Sequence, residues 1–222
     1  MMAVYTDITA VVFDLDGVLV DSEQVWDDVR ESLARERGGR WHDGAQADMM
    51  GMSSPEWSRY MHDVVGLAEP PEEINAEVVR RLLVRYRESL PLIPGAVEAV
   101  ERLAARWPLG VASSSNRELI DLVLELSGLE RLFRATVSSE EVARGKPAPD
   151  AYLEACRRLD VDPARAAAIE DSHAGIGSAH AAGMRVIAIP NPSFPPGDDA
   201  LADADIVLGS LAELTPEAVE AL

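Results

Sequence analysis

The 222-residue sequence contains a single cysteine, Cys156, which excludes an internal disulfide. It has no apolar run near the roughly 20 residues that a membrane helix requires. The N-terminus lacks a basic segment, and the short run from Ile8 to Phe13 stops at Asp14, so no signal peptide is expected. Positive charge is scarce: 20 basic residues face 39 acidic ones, a net charge of −19. Such a surface repels nucleic acid and anionic membranes, and neither is expected as a partner. A cytoplasmic monomer is expected. A phosphorylated ligand is not excluded, but it would need a local positive site. Lysine is scarcer still, with Lys146 standing alone among 19 arginines. Arginine fills every ordinary surface role, which marks Lys146 as a candidate for a site needing a compact ammonium charge.

What is present is an alternating pattern. Ala10-Val11-Val12-Phe13-Asp14 reads as a buried strand that ends on a carboxylate. Similar short runs at 109–112, 135–137, 166–169, 185–189 and 205–208 predict further strands. Helical stripes lie between them: Val97, Val100, Ala104 and Trp107; Leu119, Val123 and Leu126; Tyr152, Cys156 and Leu159. The alternation predicts an α/β fold with an open, mainly parallel sheet. Residues 22–90 break it. Val25, Val29 and Leu33 form one helical stripe, Ile74, Val78, Leu82 and Tyr86 another, and Pro55 and Pro70-Pro71 separate candidate helices. The expected organisation is a core of residues 1–21 and 91–222 with a helical insert, 22–90, hinged near 18–20 and 91–95. An insert there sits over the carboxyl end of the first strand, where open α/β sheets bind ligands. No internal repeat is visible, and 190–199 is expected to be a long loop.

Four segments at predicted strand ends could carry chemistry. They are Asp14-Leu15-Asp16-Gly17, then Ser113-Ser114-Ser115-Asn116, then Gly145-Lys146-Pro147, then Glu170-Asp171-Ser172. Each alone also fits an ordinary turn or helix cap. Together, parallel-sheet strand ends would bring Asp14, Asp16, Glu170 and Asp171 to one crevice, where unpaired acids raise one another's pKa. A hard divalent cation relieves that repulsion, and few protein ligands with retained waters suit Mg²⁺. The four histidines show no paired metal spacing. Cys156 reads as packing.

In this order and spacing the four segments resemble the motifs of the haloacid dehalogenase superfamily, above all residues 14–22, Asp-Leu-Asp-Gly-Val-Leu-Val-Asp-Ser. The resemblance implies a Rossmann-like core and, for the insert, the four-helix cap of the branch that holds β-phosphoglucomutase and small sugar-phosphate phosphatases. It implies that Asp14 is a nucleophile, Asp16 a general acid/base, Ser113 a phosphoryl-oxygen donor and Lys146 a charge-offsetting cation. It also implies a Mg²⁺ site made by Asp14, the Asp16 carbonyl, Glu170 and Asp171. Substrate contacts are expected from Glu23, Trp26, the Met50-Gly51-Met52 loop, Ser114 and Asn116.

The expected activity is Mg²⁺-dependent hydrolysis of small phosphate monoesters, sugar or sugar-alcohol phosphates, through an aspartyl-phosphate. Asp16 and the Glu170-Asp171 pair disfavour a haloalkanoate dehalogenase, which needs neither. A phosphonate hydrolase uses a cap lysine, and residues 22–90 contain none. A β-phosphoglucomutase is the main rival; its cap histidine and cap arginine correspond here to Trp26 and Ser54. A catalytically silent binding protein on the same fold would break a catalytic position, and none is broken. The run Asp21-Ser22-Glu23-Gln24-Val25-Trp26-Asp27 resembles hexitol-phosphate and 2-deoxyglucose-6-phosphate phosphatases.

Overall fold

The computed structural model describes residues 7–50, 52–192 and 195–222. Strand β1 (Ala10–Phe13) is completely buried and pairs on both sides, with β2 (Leu109–Ser113) and β4 (Ala166–Glu170). A strand covered on both faces needs apolar residues at every position, and Ala-Val-Val-Phe supplies them. The remaining strands are β3 (Phe133–Ser138), β5 (Arg185–Ala188) and β6 (Ile206–Val207). They complete one sheet in the order β3-β2-β1-β4-β5-β6, with every pair parallel. The first strand lies in the middle, and the chain runs outward from it to each edge in turn. Phe13 is in register with both Val111 and Ile169. Asp14, the β2 end and the β4 end therefore leave the sheet at one place, the point where strand order reverses.

The two faces of the sheet build two cores. Val11 and Phe13 join Val111, Ile169 and Ile187 under α5 (Ala96–Ala104) and α6 (Arg117–Ser127). Ala10 and Val12 join Ala112, Ala166, Ala168 and Ala188 under α7 (Asp150–Leu159) and α8 (His173–Ala181). The alanines on this second face leave room for those helices to pack close.

Between β1 and α5 the described residues form four α-helices and no named strand: α1 (Glu23–Glu36), α2 (Ala45–Met49), α3 (Ser54–Asp63) and α4 (Pro71–Glu88). These form the helical cap. Ile74, Val78, Leu82 and Tyr86 are all buried along α4, and Val29 and Leu33 along α1, as their four-residue spacing predicts. Pro55 and Pro71 sit in first turns, where a missing N–H costs nothing. The Glu56 carboxylate accepts the Ser53 N–H at 2.8 Å and caps α3. The two connections to the core run side by side: Asp21 N–H donates to the Pro91 carbonyl at 2.8 Å and Ile93 N–H to the Leu19 carbonyl at 3.0 Å.

Three local expectations change. Trp107 is not on α5, which ends at Ala104; it lies in the link to β2, and its indole N–H donates to the Ile8 carbonyl at 3.0 Å. Leu126 is 44% exposed, because it sits in the last turn of α6 just before Gly128 reverses the chain. The loop at 190–199 is shortened by a helical turn, Asp198–Leu201. Among the described residues no helix is long and apolar enough to cross a membrane.

Candidate active site

Four loops at the carboxyl edge of the sheet meet beneath the cap. Asp14 follows β1, and its Oδ1 lies 2.8 Å from the Lys146 ammonium. The same ammonium lies 2.6 Å from Glu170 Oε1. Lys146 is delivered by the loop before α7 and is 5% exposed, so both contacts are made out of water. Its charge also lies 4.9 Å from the centre of the Tyr152 ring, whose hydroxyl donates to Glu170 Oε1 at 2.8 Å. The other Glu170 oxygen accepts the Asp171 N–H, the Ser172 N–H and the Ser172 hydroxyl at 3.1–3.3 Å. Glu170 thereby fixes the loop that carries Asp171.

Electrostatics here are dominated by an excess of acids. Burial pushes the Asp14 carboxyl up to about 8; Lys146 opposes the rise, and Glu170 and Asp16 add to it. Burial, followed by the charges of Glu170 and Asp14, holds Asp171 well above the carboxylate range. Burial alone would lower Lys146, but the Asp14 and Glu170 carboxylates hold its pKa above the ordinary value. One ammonium does not neutralise these acids.

A hard cation fits the donor set. Carboxylate oxygens of Asp14, Glu170 and Asp171 lie within 4.8 Å of one another and all three residues are buried. Asp171 Oδ1 is buried without a hydrogen-bond partner among the described residues. Gly17, at φ 81°, clears the space in front of it: a Cβ there would meet Asp171 Oδ2 at 1.9 Å. Oxygen-only donors with an orphaned carboxylate oxygen suit a hard divalent cation.

Asp16 stands at the same mouth. Its Oδ1 accepts the Ser22 hydroxyl at 2.6 Å; its Oδ2 accepts the Ser115 hydroxyl at 2.7 Å and the Ser113 hydroxyl at 3.3 Å. Ser113 is fully buried and also accepts the Ser115 N–H at 2.9 Å. Asp14, Asp16, Ser114, Lys146 and Asp171 line a cavity of about 470 Å³, closed on the cap side by Glu23, Trp26, Arg30, Met49, Met50, Met52 and Trp57.

Of the expected substrate contacts, Glu23, Trp26, Met52 and Ser114 face this cavity. Gly51 lies outside the described residues. Asn116 lies outside the cavity lining and ties cap to core: its amide accepts from the Ser54 hydroxyl at 2.9 Å and donates to Asn75 at 3.2 Å and to Glu140 at 2.7 Å. Sequence reasoning placed Ser115 in a candidate segment without a role, whereas its hydroxyl holds Asp16, and it missed Tyr152, a member of an apolar stripe. It also missed Arg30, a cation on the cap wall that follows Trp26 by one helical turn.

Lys146→Arg tests whether the ammonium is required as such. A guanidinium is longer and planar and cannot place one nitrogen between Asp14 and Glu170 in a cleft this closed. The expected result is a fall of at least about 100-fold in kcat/KM without recovery of wild-type KM. Near-normal kinetics would show that only net charge matters at this position.

Known proteins resemble the chain over nearly its whole length. The family model described as haloacid dehalogenase-like hydrolase matches residues 8–183. Hexitol phosphatase B of Escherichia coli (strain K12) is 34% identical over 227 residues, spanning 96% of this chain and 97% of that protein. Validoxylamine A 7'-phosphate phosphatase of Streptomyces hygroscopicus subsp. limoneus is 30% identical over 203 residues, spanning 91% and 93%. The crystal structure of CbbY from Rhodobacter sphaeroides in complex with phosphate has a TM-score of 0.85 at 27% identity, covering 97% of this chain and 100% of that one.

Proposed function

Since the chain belongs to the haloacid dehalogenase-like hydrolase family and is a phosphoric monoester hydrolase of it, we propose that it is a Mg²⁺-dependent phosphatase of small sugar and sugar-alcohol phosphates that works through Asp14. The observation that carries this reading is the single cavity into which Asp14, Asp16, Lys146 and Asp171 converge beneath cap residues. That hexitol and validoxylamine phosphates are the substrates named for two full-length relatives supports the substrate class.

The residues then divide the chemistry among them. A carboxylate oxygen of Asp14 forms a bond to phosphorus in line with the ester oxygen, whose bond to phosphorus breaks. Asp16 gives its proton to that oxygen, because an alkoxide is a poor leaving group. Water next attacks phosphorus of the aspartyl-phosphate and passes a proton to Asp16. The Asp14–phosphorus bond breaks, and inorganic phosphate and free Asp14 are released. Lys146 offsets negative charge on Asp14 and on the phosphoryl oxygens throughout. Ser113 is assigned to a phosphoryl oxygen, a role that requires it to give up its 3.3 Å bond to Asp16. Asp14, the Asp16 carbonyl, Glu170 and Asp171 would hold Mg²⁺. When bound, the ion supplies positive charge that neutralises the acidic cluster and the phosphoryl group.

We assign residues 1–21 and 91–222 to the catalytic core and 22–90 to a cap that closes over it. Closure excludes bulk water from the acyl phosphate. The paired connections at Asp21–Pro91 and Leu19–Ile93 are the place for such a hinge.

The test is release of inorganic phosphate from hexose, pentose, hexitol and triose monophosphates with Mg²⁺ and with EDTA. Release that requires Mg²⁺ and no bisphosphate primer is expected. Faster conversion of β-glucose 1-phosphate to glucose 6-phosphate than release of phosphate would instead make the protein a mutase.

A further inference from the structure

The cap wall carries a cation that the chemistry above does not use. Arg30 is 4% exposed, yet it lines the cavity. Its guanidinium carbon lies 4.5 Å from the Trp26 ring centre and 4.8 Å from the Trp57 ring centre. The two indoles meet edge to face, at 69° and 5.8 Å, and the guanidinium is held against both. No carboxylate of the described residues pairs with it. Its one hydrogen bond among them is long, Nη1 to Gln46 Oε1 at 3.4 Å, and Nε is buried without a partner. Burial lowers its pKa to about 10, so it stays charged at neutral pH. A buried cation left this short of acceptors is costly unless a ligand completes it.

The wall also holds an acceptor. Gln46 takes Arg30 on its oxygen and gives its nitrogen to Glu23 Oε2 at 2.8 Å. The amide orientation is fixed from both sides, and the wall carries one positive and one negative group joined through Gln46. Arg30 and Glu23 both reach the cavity. The guanidinium carbon lies against both indoles, and every N–H of the guanidinium is a pure donor.

We propose that Arg30 is a specificity-determining residue which, with Glu23, selects phosphate monoesters whose far end is a neutral polyhydroxy chain over those ending in a carboxylate or second phosphate. The inference rests on the phosphatase reading above. A hydroxyl oxygen accepts from an Arg30 N–H while its own proton goes to the Glu23 carboxylate. Neighbouring hydroxyls of a sugar or sugar alcohol repeat that pairing, and the Trp26 ring offers an apolar surface to the intervening C–H groups. An anionic end satisfies Arg30 as well, but it has no proton to give. It meets the Glu23 charge in a cavity shielded from water. Arg30 thus supplies affinity, and Glu23 supplies the discrimination.

The experiment compares kcat/KM of the wild-type protein and the Arg30→Met and Glu23→Gln variants, with Mg²⁺, on three probes. These are a hexitol 6-phosphate, the aldonate 6-phosphate of the same carbon chain, and nitrophenyl phosphate. The wild type is expected to prefer the hexitol ester over the aldonate by at least about tenfold, the worth of one hydrogen bond to a charged group. Arg30→Met should lower the ratio of hexitol to nitrophenyl kcat/KM by about 10–100-fold, mainly through KM. Glu23→Gln should narrow the gap between hexitol and aldonate. A wild-type preference for the aldonate, lost in Arg30→Met, would overturn the proposal and make Arg30 an anion clamp. An equal loss on hexitol and nitrophenyl esters would overturn it by making Arg30 a packing residue of the cap. If Arg30→Met fails to fold, a wild-type preference for the aldonate, or a gap that Glu23→Gln leaves unchanged, still overturns the proposal. Absence of turnover on all three probes, nitrophenyl phosphate included, would instead remove the phosphatase reading and the proposal with it.

Discussion

Asp14→Asn is expected to abolish at least about three orders of magnitude of kcat, and Asp171→Asn a comparable amount. The two losses arise differently. Asn at position 14 has no carboxylate to form the phosphoryl bond, although it keeps most of the shape between Lys146 and the sheet. Asn at position 171 keeps the backbone bond to Glu170 but loses the negative charge and one of the two carboxylate oxygens that suit a cation. EDTA should silence the wild type until Mg²⁺ is restored, and the Asp171→Asn protein should need much more Mg²⁺ for whatever rate remains. Stability gives an independent readout. The Asp14 carboxyl is raised from its ordinary value of 3.8 to about 8 in the folded, metal-free protein. In that window the unfolded chain is ionised there and the folded chain is protonated. The contribution of this group to stability therefore falls as pH rises toward 8. At pH 8 in EDTA, Asp14→Asn should melt no lower than wild type, and added Mg²⁺ should raise the wild-type Tm more than that of the variant. Full activity of Asp14→Asn, or wild-type activity undiminished in EDTA, would remove the nucleophile and the metal from the mechanism.

Much of this site was legible in the sequence because the sheet is parallel and fully buried. Apolar runs such as Ala10–Phe13 announce strands, and in a parallel sheet the residues just after each run share one edge. Asp14, Asp16, Glu170 and Asp171 could therefore be grouped before any contact was known. The cap was legible as an insert for the converse reason: its apolar residues repeat every four positions, and strands cannot. Side-chain traffic within the site was not legible. Ser113, Ser114 and Ser115 are chemically identical in sequence, and only the turn after β2 turns Ser115 onto Asp16. Tyr152 sits on the buried stripe of α7, where an aromatic ring needs no further explanation; its hydroxyl, which donates to Glu170, is the one sign of a polar partner. Arg30 was hidden by composition. It is one of 19 arginines in an acidic chain, and it draws no notice until its guanidinium is found against Trp26 and Trp57. Asn116 shows the reverse error of emphasis. A polar residue at a helix start suggests a ligand, whereas here its amide links Ser54 and Asn75 of the cap to Glu140 of the core.

Asp16→Asn separates proton transfer from nucleophilic attack. The substitution leaves Asp14, Lys146 and Asp171 untouched, and an Asn side-chain oxygen still accepts from Ser115 or Ser22. Folding and Mg²⁺ binding should therefore persist, since the metal is assigned only the backbone carbonyl of residue 16. Turnover of a hexitol phosphate should fall by about 10²–10⁴-fold, the usual worth of general acid–base catalysis. The first half-reaction discriminates further. A nitrophenolate leaves without a proton, so single-turnover formation of the aspartyl-phosphate from nitrophenyl phosphate should be slowed far less than from an alkyl phosphate. The second half-reaction needs a base to take the proton of water whatever the leaving group was. Asp16→Asn should thus release one equivalent of nitrophenol in a burst and then stall with phosphate bound to the protein, detectable as a mass increase on the peptide containing Asp14. The burst assigns the base role to Asp16, and slower phosphorylation from the alkyl than from the aryl ester assigns it the acid role. Equal slowing of the first step for aryl and alkyl esters would remove the acid role. A steady rate with no accumulated acyl phosphate would remove the base role and assign the proton of water to another group at the cavity mouth.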